Sequence, residues 1–196
     1  MNIEIRADGA HISGYVNVTE KVSRPVKTLS GQKVVEVIEP RAFEKALERV
    51  DNVPMTKDHE SQVLAETRAG TLELYEDAIG LHYDTIITDT QTIAEARAKK
   101  IKGMSFGMKN IVDTIEERAD ALPLRRISAL DLDHITLVVN KQPVYAATSV
   151  EMRANGDEIE IETRAIEDNP KVTEAKPPTA PPDNSAYRNR INALKA

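Results

Sequence analysis

By its pattern of hydrophobic and polar positions, most of this chain reads as short strands, and three stretches recur at helical spacing. Residues 3–18 read as strand, with Gly14 inside "HISGYVNV" marking a bulge or a close backbone approach. Residues 33–38, "KVVEVI", are β-branched and strand-like. Pro40 then opens "PRAFEKALERV", where Phe43, Ala46, Leu47 and Val50 follow at helical spacing. Residues 52–58 extend again toward His59. Residues 71–76 and 81–87 form a hairpin pattern around "EDAIG". Thr90 is placed to cap a helix over 91–102, with Lys99, Lys100 and Lys102 near its negative end. Strands follow at 103–109, 110–117, 124–131 and 133–140. The pattern predicts an α+β fold that is mostly β, a barrel or sandwich with two flanking helices.

The pattern changes near residue 154. Residues 1–153 read as one domain. Residues 154–186 read as a Pro-rich disordered linker, since 168–186 alone holds five of the 10 prolines. Such a stretch buries too little apolar surface to offset its ordering entropy. In 187–196, Tyr187, Ile191 and Leu194 share one face of a short amphipathic helix, too short to stand alone. It reads as a frayed tail or as a docking peptide for a partner.

Composition narrows the function classes. The 196 residues are 40% hydrophobic and 30% charged, as in an ordinary globular protein. A formal net charge of −6 argues against generic nucleic-acid binding and against adsorption to an anionic membrane. No cysteine is present, which excludes disulfides and thiolate chemistry. No apolar run approaches the roughly 18 residues of a membrane helix, and the N-terminus lacks a signal-peptide pattern.

The candidate chemistry lies in "GMSFGM", residues 103–108. On a strand, Met104, Phe106 and Met108 share one face, while Gly103, Ser105 and Gly107 share the other. Two glycines beside a serine remove the steric walls around its hydroxyl, so a substrate backbone can approach. The same glycines also suit a bulge or a barrel bend. This is not the strand-to-helix nucleophile elbow, because both flanks read as strand. A serine hydroxyl needs a base, and the chain has four histidines. His11 and His82 sit in strand contexts and read as ordinary polar positions. His59 closes "VPMTKDHE", where an extended segment meets a polar loop. Asp58 beside it would point to the opposite face of an extended chain. His134 begins a strand, "HITLVV", and shares a face with Thr136 and Val138, with Asp131 and Asp133 on the other face. It suits a base, an orienter of the base, or a structural histidine. A metal site from His59, His82 and His134 lacks a close ligand pair.

Taken in order, these segments resemble the prohead (capsid maturation) serine proteases of tailed bacteriophages, distant relatives of the herpesvirus assemblins. The likeness runs over residues 10–150 through "GYVNV", "EVIEPRAFEKAL", "KDHE", "TRAGTLELYEDAIGLHYDTII", "GMSFGM" and "HITLVVNKQPVYAAT". Arg41 stands where the family usually has Gly, and His134 where the phage proteins commonly have Glu. Pro143-Val144 replaces a Pro-Ala pair. The resemblance implies an assemblin-like β-barrel and a serine endopeptidase without cofactor or metal. Ser105 would be the nucleophile, His59 its base and His134 the third member, with Asp133 the fallback if the register slips by one residue. Gly103 and Gly107 would admit the substrate. Backbone N–H groups near Ser105 or after Arg125–Arg126 are candidate oxyanion donors. Implied partners are the major capsid protein, the scaffold protein and a second copy of the chain, inside a procapsid in the bacterial host cytoplasm. A non-catalytic assembly module and a small-ester hydrolase are the competing readings.

Overall fold

The computed structural model describes residues 1–28, 30–139, 147–152, 158–167 and 170–175. The elements are β1 (Asn2–Arg6), β2 (Gly9–Val18), β3 (Val26–Lys27), β4 (Lys33–Ile38), α1 (Ala42–Arg49), β5 (Pro54–Lys57), β6 (Val63–Glu66), β7 (Leu72–Glu76), β8 (Gly80–Ile87), α2 (Thr90–Arg97), β9 (Gly103–Glu116), β10 (Leu124–Val138), β11 (Ala147–Met152), β12 (Glu158–Glu167) and β13 (Lys171–Glu174). The α+β class, mostly β with two helices, is as the pattern predicts.

Two sheets carry the strands, in the orders β13-β1-β2-β8-β7 and β11-β12-β9-β10-β4-β3. Both orders are open among the described residues, so the closed assemblin-like barrel of the sequence reading is replaced by two open sheets. The long strand β10 explains the layout. One of its edges is taken by β9, antiparallel. The other edge is shared by β4 along its first half and β5 along its second, both parallel. Helix α1 is the crossover between those two short strands, as a parallel connection requires.

Several boundaries differ from the pattern. The run 3–18 turns at residues 7–8 into a hairpin of β1 and β2. The pairs 103–109/110–117 and 124–131/133–140 each fuse into one long strand. Irregularities between Ile127 and Ala129, Ala129 and Asp131, and Leu132 and His134 let β10 bend without ending. Helix α2 is capped by Asp89, whose carboxylate accepts the Thr92 N–H at 2.7 Å, and it stops at Arg97. Two strands lie inside the expected linker. β13 pairs in parallel with β1, and β12 pairs with β9. Backbone hydrogen bonds there supply what the apolar content lacks, and Val172 packs against the core. The remainder of the expected linker and the expected 187–196 helix lie outside the described residues.

One apolar cluster joins both sheets. It includes Ile3, Ile12 and Tyr83 from the first sheet, Met104, Phe106, Met108 and Leu132 from the second, and Phe43 from α1. Phe43 meets Phe106 edge to face with ring centroids 5.6 Å apart. The core thus grips the face of β9 opposite to Ser105.

Candidate active site

Ser105 is placed by register. It stands opposite Thr136 on β10 and opposite Ala165 on β12. Gly107 stands opposite His134 and Thr163. Gly103 and Gly107 are both buried, as is Ser105 at 0% exposure.

His59 is delivered by the turn that ends β5. The pairing Met55↔Ile135, Thr56↔Thr136, Lys57↔Leu137 carries the chain alongside β10. The backbone then goes left-handed at Asp58 (φ 52) and His59 (φ 58). Such angles cost a non-glycine residue roughly 1 kcal/mol each, and the surroundings hold them. Asp58 N–H donates to the Leu137 carbonyl at 3.0 Å, and the buried Asp58 carboxylate accepts the Val139 N–H at 2.7 Å. His59 N–H donates to Thr136 Oγ1 at 3.1 Å, and Thr136 Oγ1 lies 2.6 Å from Thr56 Oγ1. Lys57 Nζ donates to Glu95 at 3.3 Å, a buried pair that ties the end of β5 to α2.

The side chains then form one line. Ser105 Oγ lies 3.0 Å from His59 Nε2. His59 Nδ1 lies 2.8 Å from His134 Nε2, with the two rings nearly perpendicular at 83°. His134 Nδ1 lies 3.0 Å from Asp133 Oδ2. Asp133 Oδ1 in turn accepts from Lys109 Nζ. Adjacent residues on a regular strand could not meet this way. The irregularity between Leu132↔Met108 and His134↔Gly107 leaves Asp133 as the extra residue and frees it to reach its neighbour's ring. His134 and Asp133, alternatives at the sequence level, stand here in series.

Burial tends to raise the Asp133 pKa, but hydrogen bonds from His134 and Lys109 outweigh it, and the value falls to about 2. An ionised Asp133 holds the proton of His134 on Nδ1. His134 Nε2 is then a lone pair facing His59 Nδ1–H, which leaves His59 Nε2 free to accept the serine proton. The line is thus polarised for general-base chemistry at Ser105.

The other candidates lie elsewhere. His11 contacts Asp8 and Arg6 at the rim of the first sheet. His82 packs between the rings of Tyr15 and Tyr75. The Arg125 guanidinium is committed to Glu36, Asp113 and Glu162, and Arg126 pairs with Glu116. Among the described residues no group of three or more His, Cys, Asp or Glu could hold a metal ion. Sequence reasoning missed Thr136, Thr56, Lys109 and Arg164 as site neighbours. Only Thr136 left a signal, as the small polar residue on the His134 face.

Arg164 matters because its carbonyl oxygen lies 2.9 Å from Ser105 Oγ, a second acceptor within reach of the hydroxyl. Its guanidinium pairs with Glu36 at 2.6 Å, where burial raises the Glu36 pKa but Arg164 and Arg125 pull it below the ordinary value.

Searches against curated proteins and against solved structures return no match. A family model described as the Caudovirus prohead serine protease matches residues 1–161, nearly the whole described body of the fold, and the chain therefore belongs to the prohead serine protease family.

Proposed function

We propose that this chain is a serine endopeptidase that cleaves scaffold or capsid-protein precursor segments inside the procapsid during capsid maturation. Ser105 Oγ attacks the scissile carbonyl carbon while its proton passes to His59 Nε2. That proton goes to the leaving amine as the C–N bond breaks. Water, deprotonated by His59, then attacks the acyl-serine, and the proton returns to Ser105 Oγ. His134 orients His59 and shares the imidazolium charge. Asp133 is a positioning residue that fixes the His134 tautomer.

The single observation behind this reading is the unbroken hydrogen-bonded line from Ser105 through His59 and His134 to Asp133. Family membership supports the reaction class and the prohead setting, and the capsid and scaffold proteins as partners are part of the proposal. A neutral imidazole as third member stabilises charge less than a carboxylate does. Placing Asp133 behind it restores part of that field at one remove. The test is co-expression with the capsid and scaffold proteins, followed by intact mass measurement of every product. The expected outcome is cleavage with Ser105 and none with Ser105→Ala. Equal processing in both would assign the chain to a non-catalytic assembly role.

A further inference from the structure

Ser105 has a hydroxyl with one hydrogen and two acceptors in reach. His59 Nε2 lies 3.0 Å away and the Arg164 carbonyl oxygen 2.9 Å away. If the hydrogen goes to Arg164, His59 receives no proton from the serine and the nucleophile is silent. The serine is 0% exposed and lies beside the same strand, whereas His59 is exposed. β12 lies antiparallel along β9 from Glu162↔Met108 to Glu167↔Gly103. It therefore occupies the β9 edge along which an extended peptide would have to lie for its carbonyl carbon to reach Ser105.

We propose that the β9 edge beside Ser105 is the seat of an extended substrate strand, and that β12 is a built-in occupant which holds the enzyme closed until it is displaced. This rests on the protease reading above. Two further observations support it. The segment that pairs with β9 begins at residue 162, just past the 1–161 match to the family, so the blocking contact lies outside the region matched to the catalytic fold. The strand is also fastened by charges that remain partnered without it. Glu162 and Arg164 on β12 dock onto Arg125 and Glu36. Glu36 and Arg125 pair with each other at 2.8 Å, and Arg125 also pairs with Asp113. Withdrawal of β12 therefore strands no lone charge in the body of the fold, which is the usual penalty for breaking a buried pair. Glu162 Oε1 is buried with no hydrogen-bond partner among the described residues, so the closed state carries a desolvation cost that release relieves. A strand of substrate replaces the same backbone hydrogen bonds, so what β12 holds over a substrate is its charge pairs to Arg125 and Glu36.

The test uses the full chain and a fluorophosphonate probe that phosphonylates an activated serine, displacing fluoride, with Ser105 modification read by peptide mass spectrometry. Glu162→Ala with Arg164→Ala removes every charge pair by which β12 docks onto Arg125 and Glu36 and loosens β12 while leaving every residue of β1–β10 in place. Thr163→Pro does the same through the backbone, because residue 163 lies between β9 and β11 and Pro cannot donate there. Hydrogen exchange of the β12 amides reports release, and protection of β10 and of the β9 amides bonded to β10 shows that the body of the fold stays intact. The expected result is slow labelling of the native chain and labelling faster by about tenfold or more in both variants. Equal, rapid labelling of native chain and variants would overturn the blocking role and leave the protease reading standing. No labelling in variants whose β12 amides exchange freely would overturn the protease reading itself, and the inference with it.

Discussion

At the residue scale, the site is a line of five side chains whose proton positions are set from its far end. The lysine fixes the carboxylate, the carboxylate fixes one imidazole, and that imidazole fixes the next. Asp133→Asn tests this order. The amide keeps the shape but presents an N–H or a neutral oxygen to His134, so the Nδ1-protonated tautomer is no longer enforced. Loss of the third member of a serine triad costs about 10⁴ in kcat. Asp133 acts one ring further out, and a fall of about tenfold in kcat with little change in KM is expected. Its carboxylate has a depressed pKa, so it contributes stability that is fully present above the ordinary carboxylate range and is lost as pH falls toward about 2. The stability gap between the native protein and Asp133→Asn should therefore be widest near pH 6 and close between pH 4 and 2 in denaturant titrations. A gap independent of pH would show that the fold does not lower the Asp133 pKa. Glycine flanks, a strand-to-loop junction and strand alternation marked Ser105, His59 and His134 only as open candidates, and the family resemblance is what joined them into one set. Asp133 was legible only as an alternative to His134. The strand irregularity that lets both act depends on cross-strand pairing, which no local pattern records.

At the element scale, α1 shows how a departure from the family pattern carries a physical cost. Arg41, which stands where the family usually has Gly, has φ 69 at the helix N-cap and gives no side-chain cap. The cap comes instead from β7, where the Glu76 carboxylate accepts the N–H groups of Arg41 and Glu44 at 2.7 and 2.8 Å. Glycine adopts this angle without the Cβ penalty of roughly 1–2 kcal/mol, although it also frees the unfolded chain. Arg41→Gly should stabilise the protein by up to about 1 kcal/mol in chemical denaturation, while Arg41→Ala keeps the strain and gains nothing. The Arg41–Glu44 pair lost in both is exposed and contributes little. The helix was legible in "PRAFEKALERV" from its spacing alone. Its cap was not, because Glu76 is thirty-odd residues away in sequence and becomes a neighbour only once β7 is in place. The strand character of β13 was hidden for a related reason: it lies in the Pro-rich stretch, and pairing with β1 at the front of the chain makes it a strand. β12, "EIEIETRAIE", alternates as a strand does and was counted as linker only with the Pro-rich stretch that follows it.

At the scale of the whole molecule, β9 is the shared wall between core and site. Its inner face packs Met104, Phe106 and Met108 into the cluster that joins both sheets, and its outer face carries Ser105. Phe106→Ala removes the edge-to-face partner of Phe43 and leaves a cavity directly beneath the serine. A loss of about 3–5 kcal/mol is expected from thermal or denaturant unfolding, together with slower cleavage at temperatures where the variant is still folded. Unchanged cleavage by folded Phe106→Ala would mean that the core does not set the position of Ser105. Sheet membership and the layout around β10 were beyond the sequence reading, since they follow from parallel pairings that alternation cannot specify. The pattern allowed a barrel or a sandwich and the resemblance favoured a barrel, whereas β10 shares one edge between β4 and β5 and the described sheet orders stay open.

The central claim is that Ser105 and His59 act as one unit. The most direct test is the rate of scaffold or capsid-precursor cleavage within assembled procapsids for Ser105→Ala, His59→Ala and the double variant, followed by quantitative mass spectrometry. Each single change should remove about 10³-fold or more of the native rate, and the double variant should be no slower than the worse single one. Losses that multiply in the double variant, or a His59→Ala enzyme that cleaves at the native rate, would contradict a shared catalytic line.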